Sequence, residues 1–203
     1  MDERFKQLDA LAERKKCPKC VSSLVPTVNL PFQIDIIKHS RELNSKSTAI
    51  HCALISPDNT QIFSQESPNV PDYSKELDET STVLVFPDKS ALPINEFVKQ
   101  SAKPIKRLLF LDATWGDIAK LRRMKQLEKI PLVQLNAYKT EYWRPQKGYA
   151  DECLATIEAI YYAIKEVWQA ENPDKEYTGQ FDDVLFWFQF FRSKYLEGYT
   201  KPK

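Results

Sequence analysis

Short apolar runs that end abruptly in polar residues constrain the fold of this sequence more than any other feature. The runs at residues 82–86 and 107–111 are nearly continuous, which is typical of strands buried on both faces of a parallel sheet. Residues 33–37, 48–55 and 132–135 are rich in β-branched and other apolar side chains and are also predicted as strands. Because helical patterns alternate with these runs, the sequence predicts an α/β domain with a mostly parallel sheet and flanking helices.

The clearest helix lies in the C-terminal third of the chain. Apolar side chains recur there at three- and four-residue steps from Leu154 to Trp168, Asp151 is a suitable N-cap, and Asn172 with Pro173 ends the pattern. The other predicted segments are a charged helix or loose tail at 1–16, a surface excursion with one short strand at 56–80, and helices at 93–100, 115–127 and 181–195.

Composition excludes several classes of protein. The four glycines lie far apart, so the chain contains neither a GxGxxG dinucleotide-binding loop nor a GxxxxGK phosphate-binding loop. It has no run of about eighteen apolar residues, so we expect no membrane span. The charged start lacks the apolar centre of a secretion signal, and we therefore expect the four cysteines to be in a reducing compartment. The length suits one domain, 27–203, preceded by an N-terminal segment, 1–26.

Charge is distributed unevenly along a nearly neutral chain. Residues 98–148 hold twelve basic and four acidic residues, although the net charge of the whole protein is only +1. A basic block of this kind is the electrostatic pattern of a polyanion-binding face. The alternative is that folding scatters these charges over a solvated surface.

Polar residues at the carboxyl ends of the predicted strands are candidates for chemistry, because ligands of parallel α/β sheets bind at that edge. Asp112 directly follows an apolar strand, so its carboxylate could accept a proton or orient a substrate; alternatively it only caps the next helix. Thr114 could cap that helix and Trp115 offers a stacking face. Glu158, at the polar edge of the long helix, is either functional or merely solvated.

Two further segments carry candidate binding residues. Residues 139–147 mix cations with aromatic side chains, a combination that suits stacking on bases and pairing with phosphates. The predicted helix before them adds Arg122 and Arg123. Near the N-terminus, Cys17 and Cys20 have the spacing of half a zinc site, but the sequence does not identify the two further ligands that a tetrahedral site requires.

Several ordered motifs resemble one protein family. Asp112-Ala113-Thr114-Trp115 matches the Asp-x-Thr-Trp motif of the DTW-domain family. The segment 142–148 resembles that family's Trp-Arg-x-Gln-Lys-Gly loop, and 154–162 resembles its C-terminal helix signature. Residues 34–39 and 46–51 resemble a eukaryotic branch of the family. The resemblance extends from about residue 17 to about residue 195, with fewer N-terminal cysteines than is usual and with Asp88 where the family often has glycine.

The resemblance implies a tRNA-uridine aminocarboxypropyltransferase. It implies S-adenosylmethionine as the donor substrate, a uridine in the D-loop of tRNA as the target, and a nuclear location, with the cytoplasm as the alternative. It also implies a fold related to the SPOUT type, whose C-terminal part is knotted around the donor site. Two alternatives stay open at this point: an RNA methyltransferase that uses the same donor, and an RNA-binding module without catalysis.

The resemblance and the strand-end positions together assign roles to individual residues. Asp112 is the candidate base or orienting group. The residues expected to frame the donor are Phe86, Pro87, Leu111, Asp112, Thr114, Trp115, Leu154, Ala155 and Thr156. Those expected to contact RNA are Arg122, Arg123, Lys139, Trp143, Arg144 and Lys147. Cys17 and Cys20 are the candidate zinc ligands.

Overall fold

One parallel sheet organises the chain. The computed structural model describes residues 2–13, 24–75, 82–114, 116–143 and 152–200, and within these ranges all strand pairings are parallel. The predicted parallel α/β sheet is therefore confirmed. Its six strands are β1 (Gln33–Lys38), β2 (Thr60–Ser64), β3 (Thr82–Val85), β4 (Leu92–Pro93), β5 (Arg107–Asp112) and β6 (Leu132–Gln134).

The order of the strands places the later ones inside the sheet. They are arranged β2-β1-β5-β3-β6-β4, so β5 and β6 each lie between two strands that precede them in the chain. Because all the strands point the same way, the segments that follow β3, β5 and β6 emerge side by side at one edge. Ligands of open parallel sheets bind at this carboxyl edge.

Helices cover the sheet and supply the rest of the core. Six α-helices are described: α1 (Glu3–Glu13), α2 (Ala49–Ile55), α3 (Ile94–Gln100), α4 (Ile118–Arg122), α5 (Thr156–Glu171) and α6 (Phe186–Thr200). Two 3₁₀ helices, Lys125–Leu127 and Asp182–Leu185, precede β6 and α6 respectively.

The two faces of the sheet are buried by different parts of the chain. On one face, alternate side chains of β1 and β5 such as Ile36 and Phe110 join the core formed by α1, α2, α3, α5 and α6. On the other face, Ile37 and Leu109 pack with Leu121 of α4 and with the segment around Tyr73. Burial of both faces explains why the central strands are nearly continuous apolar runs.

The predicted strand at residues 48–55 is wrong. The segment forms α2, with Thr48 at the N-cap position. Ala49, Cys52 and Ile55 are fully buried at three-residue steps, which place them on one helical face against the core. A seven-residue apolar segment does not distinguish a buried helix from a buried strand by periodicity alone, and the strand was the wrong alternative of the two.

Helix boundaries also differ from the prediction. The long helix begins at Thr156 with Ala155 as its N-cap, not at Asp151. The helix predicted at 115–127 is reduced to α4 and a separate 3₁₀ turn, because Met124 between them has an extended backbone. The helix predicted from residue 181 is a 3₁₀ turn followed by α6, which extends to Thr200. The short strand β4 was not predicted, since two residues carry no periodicity.

The N-terminal helix packs on the C-terminal one. The ring of Phe5 contacts the ring of Phe186 edge-on, with the two centroids 5.3 Å apart. The prediction of a charged helix at the N-terminus is thus confirmed for residues 3–13. The proposed domain boundary at residue 26 and the C-terminal knot stay predictions.

A buried ionic cluster fastens the second face of the sheet. Asp35 of β1 is almost fully buried, and its Oδ2 accepts a hydrogen bond of 2.8 Å from the Tyr73 hydroxyl. The same oxygen lies 3.3 Å from a guanidinium nitrogen of Arg107, the first residue of the neighbouring strand β5. Removing the carboxylate would break this ion pair around a largely buried guanidinium.

We therefore expect Asp35→Ala to lower the free energy of unfolding by about 3–5 kcal/mol, the cost of breaking a buried ion pair from one side. Tyr73→Phe, which removes one neutral donor, should cost about 1–2 kcal/mol. Urea denaturation measures both, with Asp58→Ala at an exposed position as the control. A loss below about 1 kcal/mol for Asp35→Ala would show that the cluster does not stabilise the sheet.

Candidate functional site

A buried carboxylate lies where β5 ends. Asp112 is only 4% exposed, and both of its carboxylate oxygens accept hydrogen bonds from hydroxyl groups. Ser47 Oγ donates to Oδ2 at 2.7 Å, and Thr156 Oγ1 donates to Oδ1 at 2.6 Å. The alternative that Asp112 caps the following helix is wrong, since the N-cap of α4 is Asp117. Asp112 instead joins three segments that are far apart in the sequence.

A second hydrogen bond reinforces this junction. The backbone N–H of Ile157, in the first turn of α5, donates to Thr48 Oγ1 at 3.3 Å. Ser47 and Thr48 thus hold the N-terminus of the 16-residue helix α5 beside the end of β5. The positive end of a helix dipole favours a negative charge at this position.

A large cavity opens beside Asp112. Its volume is about 980 Å³, at the upper end of the roughly 300–1,000 Å³ typical of small-molecule sites. Eight of the nine residues predicted to frame a donor line it. They are Phe86, Pro87, Leu111, Asp112, Thr114, Leu154, Ala155 and Thr156. The ninth, Trp115, lies outside the described residues.

Sequence reasoning missed two polar parts of the cavity wall. One is the loop before α2, which contributes Lys46 and Ser47 among other residues, and the other follows β6, where Gln134, Asn136 and Tyr138 line the cavity. The first part was missed because residues 48–55, which directly follow Ser47, were predicted as a strand and not as the helix α2. A signal was present, since 46–51 is one of the motifs that carry the family resemblance.

Glu158 is buried, so the alternative that it is merely solvated at the edge of the helix is wrong. It is 3% exposed and accepts hydrogen bonds from Thr140 Oγ1 at 2.6 Å and from the N–H groups of Glu141 and Ala155 at 2.7 Å each. Burial raises the pKa of Glu158 above its usual range, and the three donated hydrogen bonds oppose that rise. The side chain fastens the loop after β6 to the first turn of α5.

A second glutamate fixes the start of the same loop. Glu166 Oε1 accepts a hydrogen bond of 2.9 Å from the N–H of Asn136. The ring of Tyr138 stacks on that of Tyr162, with centroids 3.7 Å apart and planes within 6° of parallel. Burial, followed by the hydrogen bond with Glu166, raises the pKa of Tyr138 above its ordinary value. The loop from 136 to 143 is therefore a fixed wall of the cavity.

The residues predicted to contact RNA are placed differently from one another. Arg123 and Lys139 are exposed and Arg122 is half-buried. The half-buried ring of Trp143 packs against Phe188 at a centroid distance of 5.2 Å, so it contributes to the core. Arg144 and Lys147 lie outside the described residues. Contact with RNA stays a prediction for all of these residues.

The metal prediction falls on residues that are not described, Cys17 and Cys20, and it stays a prediction. Within the described ranges, no three side chains of His, Cys, Asp or Glu are grouped so that they could hold a metal ion. In the same ranges, none of the helices has the length and apolar character needed to cross a membrane.

Comparison with known proteins identifies relatives over most of the chain. Residues 14–196 match the family model described as the DTW domain. The chain is 32% identical over 206 residues to tRNA-uridine aminocarboxypropyltransferase 1 of Mus musculus, covering 82% of this chain and 66% of that protein. It is 33% identical over 234 residues to the protein of the same name from Xenopus tropicalis, covering 87% of this chain and 78% of that protein.

A solved structure gives a weaker similarity. The SAM-dependent rRNA:acp-transferase Tsr3 from Vulcanisaeta distributa is 16% identical, with a TM-score of 0.48, over 83% of this chain and 85% of that one.

The raised pKa of Glu158 predicts a pH dependence of stability. A carboxyl whose pKa is higher in the folded state stabilises the fold fully below its unfolded pKa, near 4.5, and this contribution is lost as pH rises through the folded pKa. Glu158→Gln cannot ionise. The unfolding free energy of the wild type minus that of Glu158→Gln should therefore decrease as pH rises from about 4.5.

Thermal and urea melts between about pH 4 and pH 7 measure this difference, with Glu176→Gln at an exposed site as the control. If the difference instead increases with pH, the three hydrogen bonds outweigh burial and Glu158 is held as the carboxylate.

Proposed function

The chain belongs to the DTW-domain family, and from that membership we propose that it is a tRNA-uridine aminocarboxypropyltransferase. It would transfer the 3-amino-3-carboxypropyl group of S-adenosylmethionine to the ring nitrogen of a uridine. The observation that best supports the proposal is the cavity at the carboxyl edge of the sheet, with the doubly hydrogen-bonded Asp112 in its wall. The relatives named for this activity support the choice of reaction.

The residues of the cavity fit the proposed donor. Phe86, Pro87 and Tyr138 offer apolar and aromatic surface for an adenosine, and the side-chain amides of Gln134 and Asn136 can hydrogen-bond to its polar edges. The amino-acid end of the donor carries both an ammonium and a carboxylate. The same cavity presents a carboxylate at Asp112 and an ammonium at Lys46, so both charges can be matched.

At the carbon that is transferred, one bond forms and one bond breaks. The uridine ring nitrogen attacks the carbon of the aminocarboxypropyl chain that is bonded to the sulfonium, the carbon–sulfur bond breaks, and methylthioadenosine leaves with the electron pair. Since a sulfonium is already a good leaving group, holding the two substrates in line should supply much of the acceleration. The ring N–H must also lose its proton, and a nearby carboxylate can accept it.

Asp112 is the residue that we assign to this proton, as base or as orienting group. A carboxylate has about four acceptor positions, and the two hydroxyl donors leave lone pairs for a substrate N–H. Ser47 and Thr156 fix the rotation of the carboxyl group, so that those lone pairs keep one direction. These two hydroxyls are therefore positioning groups in the proposed mechanism.

Three further assignments rest on the resemblance and on charge. We propose that Arg122, Arg123 and Lys139, together with the 143–147 segment, contribute to tRNA binding, because they belong to the basic block. We also propose a nuclear location, and a zinc ion held in part by Cys17 and Cys20. Elemental analysis of the purified protein tests the zinc, which should disappear when both cysteines are changed to serine.

The central experiment is mass spectrometry of tRNA nucleosides after incubation with protein and S-adenosylmethionine. The wild type should add the mass of an aminocarboxypropyl group to a uridine, and Asp112→Asn should abolish the product because an amide cannot take up the proton. Filter binding should show that Asp112→Asn still binds tRNA, since loss of a negative charge cannot weaken attraction to phosphate. A methyl mass would identify a methyltransferase instead, and near-normal turnover by Asp112→Asn would place the base elsewhere.

The positioning hydroxyls give a second test. Thr156→Val removes the hydroxyl that donates to Asp112 while keeping the shape of the side chain, and should lower kcat about tenfold to a hundredfold. Thr156→Ser keeps the hydroxyl and should retain most of the activity. Steady-state kinetics and melting curves of both variants separate a positioning role from a structural one. Equal activity of the Val and Ser variants would mean that the Thr156 hydroxyl only supports the fold.

A further inference from the structure

Two cations share one carboxylate oxygen near the cavity wall. Arg41, in the loop after β1, donates from its guanidinium to Asp117 Oδ1 at 2.8 Å, and Lys120 of α4 donates from Nζ to the same oxygen at 2.9 Å. Both cationic side chains are largely exposed, 67% for Arg41 and 60% for Lys120, whereas the Asp117 side chain is only 20% exposed. One carboxylate of charge −1 thus binds two cationic groups, and both of these groups stay accessible to solvent.

Contacts with Thr114 and His39 fix the position of Asp117. Its Oδ2 accepts a hydrogen bond of 3.2 Å from Thr114 Oγ1, and Oδ1 lies 3.9 Å from Nε2 of the buried His39. The backbone N–H of Arg41 donates to the other ring nitrogen of His39 at 3.2 Å. The two cations are therefore held at a fixed spacing, which lowers the entropy that a ligand would have to remove.

The pair lies beside residues that line the cavity. Thr114 and Ile118, on either side of Asp117 in the sequence, are part of the cavity wall, and so is Glu42, the neighbour of Arg41. Two further exposed cations, Arg123 and Lys125, follow on the same segment as Lys120. Cations at this position can meet the phosphates of a nucleotide whose base enters the cavity.

We propose that Arg41 and Lys120, held by Asp117, form a phosphate-binding pair that grips the RNA backbone next to the modified nucleotide. The proposal rests on the proposed function, because RNA is its ligand. It adds a contact in a part of the chain that the sequence pattern did not connect with RNA, since Arg41 lies far from the basic block at 98–148. Asp117 serves as the internal counter-ion that sets the spacing of the pair.

The competing explanation is that the cluster is only a latch between the loop after β1 and α4. The two explanations predict opposite effects for two sets of variants. Arg41→Ala with Lys120→Ala removes both cations, whereas Asp117→Asn breaks the ionic latch and leaves both cations in place. A latch would make both changes weaken RNA binding. A phosphate-binding pair requires that the first weaken it and that the second leave it unchanged or tighten it.

Filter binding of a tRNA transcript across a salt series tests the proposal. The double variant should bind about tenfold more weakly at moderate salt, and the slope of log K against log salt should become shallower by about two, one for each phosphate that the variant no longer neutralises. Asp117→Asn should bind at least as tightly as the wild type. Lys6→Ala with Lys175→Ala is the charge-matched control and should keep the wild-type slope. Both cations are exposed, neither lines the cavity, and both lie outside the basic block.

Calorimetry measures the binding of S-adenosylmethionine, which should be the same in all of these variants. Wild-type affinity and slope in the Arg41/Lys120 variant would overturn the phosphate pair while leaving the transferase proposal intact. Weaker binding by Asp117→Asn would also overturn it, in favour of the latch. If the wild type neither binds tRNA nor forms product, both the pair and the proposed function are wrong.

Discussion

The hydrogen bonds that Ser47 and Thr156 donate to Asp112 are the interaction on which the site depends. They bring the end of β5, the loop before α2 and the first turn of α5 to one buried carboxylate. A buried carboxylate is costly unless its oxygens are hydrogen-bonded, and here each oxygen accepts from a hydroxyl. The same contacts that offset this cost also orient the group toward the cavity, so fold and chemistry rest on one constraint.

The sheet topology explains why the cavity forms at this edge. Insertion of β5 and β6 between earlier strands brings the segments after β3, β5 and β6 together. The first turn of α5 then packs beside the end of β5, where Thr156 contacts Asp112. Two buried glutamates, Glu158 and Glu166, hold the loop after β6 against α5. The cavity walls are thereby fixed by short polar contacts, while the apolar core lies behind them.

The sequence predicted the parts of the structure that depend on patterns of burial. The apolar runs at 82–86 and 107–111 gave the central strands, and the position of Asp112 after one of them gave the candidate base. The apolar segment 48–55 was predicted as a strand, because eight residues do not separate the helical from the strand periodicity. Because of that error, Ser47 was not predicted to contact Asp112. The Arg41–Asp117–Lys120 cluster was not predicted either, because its members come from two segments that only the tertiary fold brings together. Trp115, Arg144 and Lys147 lie outside the described residues, and their roles stay predictions.

The central claim is that the cavity beside Asp112 holds the donor with its reactive carbon toward that carboxylate. An experimental structure of the protein with S-adenosylmethionine bound tests this claim most directly. We expect the adenosine between Phe86–Pro87 and the loop after β6, and the aminocarboxypropyl chain beside Asp112 and the first turn of α5, with the Ser47 and Thr156 hydrogen bonds kept. A donor bound elsewhere, or with its methyl group rather than its aminocarboxypropyl chain facing Asp112, would contradict it.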